Sequence, residues 1–225
     1  MTSQRVLLSW SSGKDSAWTL HTLRQQPDME VVGLLTTYNE TNNRVAMHGV
    51  RMELVERQAQ AADIPLWSVP LPAPCSNEQY ESIMRDVIAR AHSEGITHIA
   101  FGDLFLEDIR AYRMRMMAGT GIQPIFPIWR ARDDTKALAR EMLQNKLRTV
   151  LTTIDPSGLD PSFAGRIYDE ALLNDLPESV DPCGENGEFH TFCFGAPIFS
   201  HPISIQIGET VMRDGFVFTD ILPSA

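Results

Sequence analysis

The first two thirds of the chain alternate short β-branched runs with stretches of helical periodicity, and this alternation constrains the fold more than any other feature. Strands are predicted at residues 6–10, 31–37, 66–69 and 97–101, with helices after residue 13 and at 51–62 and 77–93. Strands separated by helices form right-handed βαβ units, so we expect a parallel sheet with helices on both faces. In such a sheet the segments ending at Trp10, Thr37 and Gly102 project into one crevice.

The pattern changes after about residue 125. A helix is predicted at 134–145, a strand at 149–154 and a loop-rich region at 156–165. The last third predicts short strands at 189–199, 203–212 and 216–221, arranged in hairpins with a turn at Arg213-Asp214-Gly215. We therefore predict an α/β domain at residues 1–128 and a smaller α+β domain at 129–225.

Composition limits the environment and the partners of the chain. Its 225 residues carry a net charge of −10, which argues against a nucleic-acid partner because phosphate backbones require clustered Lys and Arg. The three cysteines, Cys75, Cys183 and Cys193, form neither a CxxC pair nor an even disulfide framework, which favours a reduced, cytoplasmic protein. No signal segment and no long apolar run is recognised, so we expect neither secretion nor a membrane partner.

The turn between the first strand and the first helix reads Ser11-Ser12-Gly13-Lys14-Asp15-Ser16. A helix N-terminus attracts anions through its backbone N–H groups and its dipole. Gly13 permits close approach of a phosphate, the serines supply hydroxyl groups and Lys14 supplies charge. Asp15 suits a Mg²⁺ ion beside the phosphates. The alternative is an ordinary helix start, with Ser and Asp acting only as caps.

Two well-known phosphate loops are excluded at this turn. A Walker A motif requires Ser or Thr after the lysine and an earlier glycine, where this chain has Asp15 and Leu8. The GxGxxG fingerprint of dinucleotide-binding proteins is absent as well. The segment instead resembles the PP-loop, Ser-Gly-Gly-Lys-Asp-Ser, of the ATP pyrophosphatases in the adenine nucleotide α-hydrolase superfamily, with Ser12 in place of the first glycine. This resemblance implies a HUP-type, Rossmann-like sheet of five parallel strands, and cleavage of ATP to AMP and pyrophosphate.

A second distinctive segment runs from Cys183 to Thr191, with the sequence CGENGEFHT. Its glycines allow polar side chains to converge on a ligand, although a solvated hairpin turn would have a similar composition. Together with Pro197 and Phe199, it resembles the C-terminal motif of the diphthine–ammonia ligase family, the N-type ATP pyrophosphatases. Other segments match this family in the same order: His48-Gly49-Val50, Gly102-Asp103, Glu107-Asp108 with Arg110, and Pro127-Ile128-Trp129.

The family resemblance implies a ligase that adenylates a carboxylate with ATP and then forms an amide with ammonia. ATP and Mg²⁺ are the expected cofactors, with Asp15 as the metal ligand. The residues expected to bind ATP are Ser9, Ser11, Ser12, Gly13, Lys14, Asp15, Ser16, Thr36, Thr37, His48 and Gly102. For His48 a purely structural role is an equal alternative.

The remaining candidates are assigned to catalysis or to the acceptor. The catalytic candidates are Lys14, Asp15, Glu185, Glu188 and His190, and the last three could instead form a structural hydrogen-bond network between the domains. The substrate candidates are Asp103, Glu107, Asp108, Arg110, Asn186 and Thr191. The acids among them follow the fourth strand and are expected to face the same crevice, where Arg110 could clamp an anion.

Several alternatives stay open on sequence grounds. The acceptor could be a small molecule or a protein-borne carboxylate. An ATP-binding or sensing protein without turnover is the main alternative to a ligase, and an RNA thiolase or lysidine-type ligase ranks last because of the acidic charge. Met114, Met116 and Met117 are interpreted as a helix packing face, a lid or a homodimer contact.

Overall fold

A computed structural model describes residues 3–224, which form two β-sheets with six α-helices. Residues 1, 2 and 225, at the ends of the two predicted domains, lie outside the described residues. The helices are α1 (Lys14–Leu23), α2 (Met52–Ala62), α3 (Asn77–Ser93), α4 (Glu107–Met117), α5 (Thr135–Gln144) and α6 (Glu170–Asp175). The strands of the first sheet are β1 (Gln4–Ser9), β2 (Met29–Asn39), β3 (Arg44–Val45), β4 (Leu66–Leu71), β5 (His98–Ala100) and β6 (Gln123–Ile125).

The first sheet contains five parallel strands in the order β4-β2-β1-β5-β6, as a Rossmann-like fold requires. The two-residue strand β3 pairs antiparallel with the end of β2. Strand order reverses at β1, because β2 lies on one side of it and β5 on the other. The carboxyl ends of β1, β2 and β5 therefore surround the point where α/β sheets bind ligands. The predicted parallel five-stranded sheet is confirmed.

Alternating side chains of the first sheet pack on its two faces. Leu7, Leu35 and Ile99 belong to a buried cluster that includes Met84 and Ile88 of α3. Their neighbours on the opposite face belong to a second cluster, which contains buried residues of α1 and α2. The period of two along each strand and the helical spacing in α1–α3 thus bury both faces of the sheet.

The second sheet is antiparallel and is formed by β7 (Arg148–Ile154), β8 (Ile167–Tyr168), β9 (Phe189–Gly195), β10 (Ile205–Arg213) and β11 (Phe216–Pro223). Strand β7 lies at its centre, because it pairs with β8, β9 and β11. The predicted hairpin at Arg213-Asp214-Gly215 is confirmed, since β10 and β11 pair antiparallel across it. The hydrophobic cluster beneath α1 and α2 continues through β7 and β9, so the two sheets share one core.

One part of the predicted hairpin arrangement is wrong. Strand β9 does not pair with β10, its neighbour in sequence, but with β7. Most of its residues, among them Phe189, Phe192 and Cys193, are buried in the shared core, and this long-range packing outweighs the local connection. The domain boundary at residues 128 and 129 stays a prediction.

Candidate active site

A cleft of about 380 Å³ opens where β1, β2 and β5 end. Trp10, Thr37 and Gly102 all line it, which confirms that these three strand ends face one crevice. The opposite wall comes from the second sheet and the turn before it, through Glu185, His190 and Thr191 among others. A cavity of about 600 Å³ beside Lys136 and Arg140 includes no residue of the loop at 11–16.

The loop at residues 11–16 begins α1 without a side-chain cap of its own. Gly13 is the N-cap residue and has extended backbone angles. The backbone N–H of Lys14 donates instead to Oγ1 of Thr191 in β9, 3.0 Å away. A Cβ on Gly13 would lie 3.0 Å from the Thr191 carbonyl oxygen and from the His48 ring. The second sheet therefore supports the start of α1 by direct contact, and a side chain at position 13 would require Thr191 or His48 to shift.

Lys14 and Asp15 form an ion pair, with Nζ 2.7 Å from Oδ2. Burial opposes the charged form of Lys14, but the nearby carboxylates of Asp15 and Glu185 outweigh it, and the pKa of Lys14 is raised. Lys14 is therefore a buried, fully protonated cation at neutral pH, held at the positive end of α1. Such a cation suits the neutralisation of a leaving pyrophosphate.

Ser12 has a left-handed backbone conformation, with φ of 70°, at the position where the resembling motif has glycine. Its carbonyl oxygen accepts hydrogen bonds from the Cys193 N–H at 2.9 Å and from Nε2 of Gln58 at 3.0 Å. Gln58 is fully buried, and its Oε1 accepts from Nε1 of Trp10 at 2.8 Å. Gln58 thus fixes the loop from α2, a role that its place in an amphipathic helix did not indicate.

His48 and His190 form a neutral pair on the cleft wall. Their ring centroids lie 4.7 Å apart, and Nδ1 of His48 is 3.1 Å from the carbonyl oxygen of Thr191. Burial lowers the pKa of His48 to about 4 and that of His190 to about 3, and for His190 the neighbouring His48 and Lys14 lower it further. At neutral pH neither ring adds charge, so both can contact a nucleoside without repelling Lys14.

Glu185 and Asp103 bring acidic groups to the cleft. Oε1 of Glu185 accepts from the Leu104 N–H at 2.6 Å. Burial, followed by repulsion from Asp15, raises the pKa of Glu185 to about 8. Burial also raises the pKa of Asp103, against the opposing effect of Arg113. A carboxyl group with a pKa near 8 can exchange a proton with a substrate at physiological pH.

Arg113 of α4 is a cleft residue that sequence reasoning missed. Its Nε lies 3.6 Å from Oδ2 of Asp103, and its guanidinium stacks 4.6 Å above the Phe101 ring. Arg113 Nε and Asp103 Oδ2, like Oδ1 of Asp15, are buried and have no hydrogen-bond partner among residues 3–224. Unsatisfied polar atoms in a cleft are the groups that a ligand would satisfy. The pairing of Asp103 with Arg113 could have been found only from the contact of α4 with the loop that follows β5.

The donor set fits a Mg²⁺ ion carried by a nucleotide better than a protein-held metal. Among residues 3–224, no group of three or more His, Cys, Asp or Glu side chains could hold a metal ion. Asp15, however, has one carboxylate oxygen free of hydrogen bonds in the cleft. Mg²⁺ in nucleotide sites commonly uses one or two carboxylates together with phosphate oxygens.

The structure brings most of the predicted site residues together. The cleft is lined by Ser9, Ser11, Lys14, Asp15, Ser16, Thr37, His48, Gly102, Asp103, Glu185, His190 and Thr191. Thr36 is buried and donates its hydroxyl to the Trp10 carbonyl oxygen, 2.8 Å away. Glu188 is buried, and its Oε1 accepts from the Asp181 N–H and from Nδ2 of Asn186.

The expectation that Glu107, Asp108 and Arg110 face the same cleft is wrong. Glu107 and Asp108, in the first turn of α4, line a separate cleft with Trp129 and Arg132. Arg110 stacks on the Trp129 ring at 4.7 Å. Asn186 borders the cavity beside Lys136, where its Oδ1 accepts from Arg132. Of α4, Arg113 and Met117 reach the cleft, so Met117 is a wall residue, whereas Met114 is exposed.

Comparisons with known proteins match nearly the whole chain. Residues 4–124 match the model of the diphthamide synthase N-terminal domain, and residues 134–221 match that of the diphthamide synthase C-terminal domain. The chain is 29% identical to the diphthine–ammonia ligase of Danio rerio over 150 residues, which is 64% of this chain and 56% of that protein. The human diphthine–ammonia ligase is 24% identical over 152 residues, 65% of this chain and 56% of its own length.

The chain therefore spans little more than half the length of these relatives. Among solved structures, a U34-tRNA thiolase from Methanococcus maripaludis aligns with a TM-score of 0.40 and 17% identity. That alignment covers 64% of this chain and 58% of the thiolase.

Proposed function

The chain belongs to the diphthamide synthase family, and from that membership we propose that it is an ATP-dependent, AMP-forming ligase that joins ammonia to a carboxylate. One observation carries the proposal: the partly buried Lys14–Asp15 pair at the start of α1 lies in the same cleft as Glu185, His190 and Thr191 of the second distinctive segment. We also propose residues 1–128 and 129–225 as the two domains that enclose this cleft, in a cytoplasmic protein.

ATP cleavage would use the loop at residues 11–16. The acceptor carboxylate oxygen attacks the α-phosphorus, the bond to the β-phosphate oxygen breaks, and pyrophosphate leaves with the electron pair. Lys14 offsets the charge that develops on pyrophosphate, and the N-terminus of α1 adds its dipole. Asp15, through its free carboxylate oxygen, would hold Mg²⁺ against the phosphates, where the ion supplies further charge neutralisation.

Amide formation would use the part of the cleft that is lined by Glu185 and Asp103. Ammonia attacks the acyl carbon of the adenylate, the bond to the AMP oxygen breaks, and the nitrogen loses a proton. In its ionised form Glu185 would accept that proton, because a pKa of about 8 makes its carboxylate a stronger base than an ordinary one. Arg113 and Asp103, with their unsatisfied polar atoms, would bind the acceptor or the α-phosphate. Enclosure between two sheets would protect the adenylate from water.

The relatives' name suggests the acceptor class. They are called diphthine–ammonia ligases, so we propose diphthine, or another carboxylate on a small molecule or protein, as the acceptor for this chain. Glu188 and Asn186 would act indirectly, because they fix the turn that carries Glu185.

The test is product analysis with MgATP, ammonium and a panel of carboxylic acids that includes a diphthine peptide. We expect AMP and pyrophosphate, measured by ³¹P NMR and nucleotide chromatography. Lys14→Met should reduce AMP formation by at least about 100-fold, as the loss of a transition-state charge contact does. Asp175→Asn, which removes an exposed ion pair with Arg166, should match the wild type. ADP and phosphate as products, or ATP left intact with every acid, would contradict the ligase proposal; the latter would favour a nucleotide-binding protein without turnover.

A further inference from the structure

Residues 44–51, which we call the His48 segment, form one wall of the cleft. Val45, Ala46, Met47 and His48 all line it. The segment belongs to the first half of the chain, where it connects the end of β2 to α2. Its position nevertheless depends on contacts with the second sheet.

Both ends of the His48 segment are held by one carboxylate of β11. Asp220 Oδ1 accepts from Nη1 of Arg44 at 2.8 Å and from Nε of Arg51 at 3.1 Å. Asp220 Oδ2 accepts from Nη2 of Arg51 at 2.6 Å. The Arg51 contact is bidentate, which adds geometric specificity to the attraction of opposite charges.

The middle of the segment is held by the same sheet. Nη1 of Arg44 also donates to the carbonyl oxygen of Gly49 at 2.6 Å. The Arg44 guanidinium therefore links Asp220 to the residue that follows His48. Oγ1 of Thr153 in β7 donates to the carbonyl oxygen of Met47 at 2.8 Å. A Cβ on Gly49 would lie 2.9 Å from the Phe218 ring of β11, which leaves no room for a side chain there.

The backbone on either side of His48 is in the left-handed region, which is costly at Met47 but not at Gly49. Met47 has φ of 61° and Gly49 has φ of 65°, both in the left-handed region. A non-glycine residue keeps such a conformation only where surrounding contacts determine it. The surrounding contacts here are those of Asp220, Thr153 and Phe218, together with the 3.1 Å contact of His48 with Thr191. They add to the backbone hydrogen bonds within the segment, from the Val45 N–H to Val50 and from the Gly49 N–H to Val45.

We propose that Asp220 is a positioning residue for nucleotide binding: from the second sheet, it holds His48 at the wall of the ATP cleft. The inference rests on the proposed function, because it assumes that the cleft binds ATP. It assigns to β11 a part in ATP binding although no residue of β11 lines the cleft. It also means that the ATP site is incomplete without the second sheet.

An ordinary exposed ion pair would not have this effect, because such pairs contribute little and are screened by salt. The side chain of Asp220 is only 23% exposed, and it neutralises two guanidinium groups. Its pKa falls to about 2, because hydrogen bonds from Arg51 and Arg44 outweigh the effect of burial. Replacement by asparagine would leave two arginines facing each other without a counter-charge.

The experiment measures binding of MgATP by isothermal titration calorimetry to the full chain and its variants. We expect Asp220→Asn to raise the Kd roughly tenfold, while Asp175→Asn leaves it unchanged. Asp220→Glu should restore part of the affinity, because it keeps the counter-charge. Thermal unfolding of each ligand-free variant separates loss of binding from loss of folding.

A double-mutant cycle with His48→Ala tests whether Asp220 acts through His48. We expect the variant with both substitutions to bind no more weakly than His48→Ala alone, and the imidazole NMR signals of His48 to move in ligand-free Asp220→Asn. Fully additive losses, or an unchanged Kd in Asp220→Asn, would overturn this inference alone. Absence of ATP binding by the wild type would contradict the proposed function and the nucleotide role of Asp220 together.

Discussion

Ser12 shows how a single residue of the phosphate loop can be held in an unfavourable conformation. Its φ of 70° places a non-glycine residue in the left-handed region, and its Oγ is buried without a hydrogen-bond partner. Hydrogen bonds from Cys193 and Gln58 to its carbonyl oxygen keep the peptide in this orientation. The conformation is therefore maintained by α2 and β9 rather than by the side chain of Ser12.

We predict that Ser12→Gly stabilises the protein by about 1 kcal/mol. The left-handed conformation costs an L-residue about 1–2 kcal/mol, and the greater freedom of glycine in the unfolded chain offsets part of that gain. Ser11→Gly, in the same loop, should destabilise, because the Ser11 hydroxyl bonds to Ser16 and its backbone is not in the left-handed region. Urea unfolding measures both variants, and a lower free energy of unfolding for Ser12→Gly would contradict the strain argument.

At the scale of elements, α1 depends on a cap supplied from far away in the sequence. Its N-cap residue, Gly13, has no side chain, and the Lys14 N–H is satisfied by the hydroxyl of Thr191 in β9. Thr191 is buried, so water cannot replace this acceptor. The contact joins the first helix to the second sheet next to the cleft.

We predict that Thr191→Val destabilises the protein by about 1–2 kcal/mol, the usual cost of losing a helix cap whose donor remains buried. Valine has nearly the shape of threonine, so the change removes the acceptor without opening a cavity. Thr191→Ser keeps the hydroxyl and should recover most of the loss. The measurement is the free energy of unfolding in urea, and equal values for the valine and serine variants would show that the hydroxyl contributes nothing.

The elements that could be predicted from sequence are those whose determinants are local. Helix α3 spans Asn77–Ser93 as predicted, because Ser76 and Gln79 form a capping box at its start. Strands β3 and β8 have two residues each, too few for a periodic pattern. The pairing of β9 with β7 depends on burial in a core to which both sheets contribute, and no local sequence pattern indicates it.

The candidate site likewise contains residues that could be predicted from sequence and residues that could not. Lys14 and Asp15 are adjacent in one motif, so their meeting in a cleft could be predicted. The choice between Arg110 and Arg113 could not be predicted, because it depends on how α4 is rotated about its axis and on which arginine meets Asp103. Gln58 was missed for a similar reason, since its partners lie 46 to 135 residues away along the chain.

At the scale of the whole molecule, the two sheets meet through a shared core and through groups around the cleft. His48 comes from the first half of the chain and His190 from the second, and their rings lie 4.7 Å apart. Both are neutral in the folded protein near pH 7, because burial lowers their pKa values to about 4 and about 3. Protonation would place two positive charges beside each other and beside Lys14, at the junction of the sheets.

This arrangement predicts that stability falls as the pH drops below about 6.5, the pKa of an unfolded histidine. Between that value and the folded pKa values of about 4 and about 3, the unfolded chain binds more protons than the folded protein. The stability contribution is thus fully present above pH 6.5 and is lost as the pH falls, by up to about 1.4 kcal/mol per pH unit for each histidine.

Urea unfolding of wild type and of the variant with His48→Gln and His190→Gln, from pH 7.5 to 4.5, measures this effect. Glu185 changes the stability in the opposite direction. Because its folded pKa is raised to about 8, its contribution to the free energy of unfolding is lost as the pH rises. Glu185 is present in both proteins, so the difference between their slopes isolates the histidines. Between pH 6.5 and 4.5 the slope of the variant should be lower than that of the wild type by the contribution of the two histidines, whereas His201→Gln, at an exposed position, should keep the wild-type slope. Parallel slopes for all three proteins would mean that the acid sensitivity arises elsewhere and that the histidine pair does not couple the two sheets to pH.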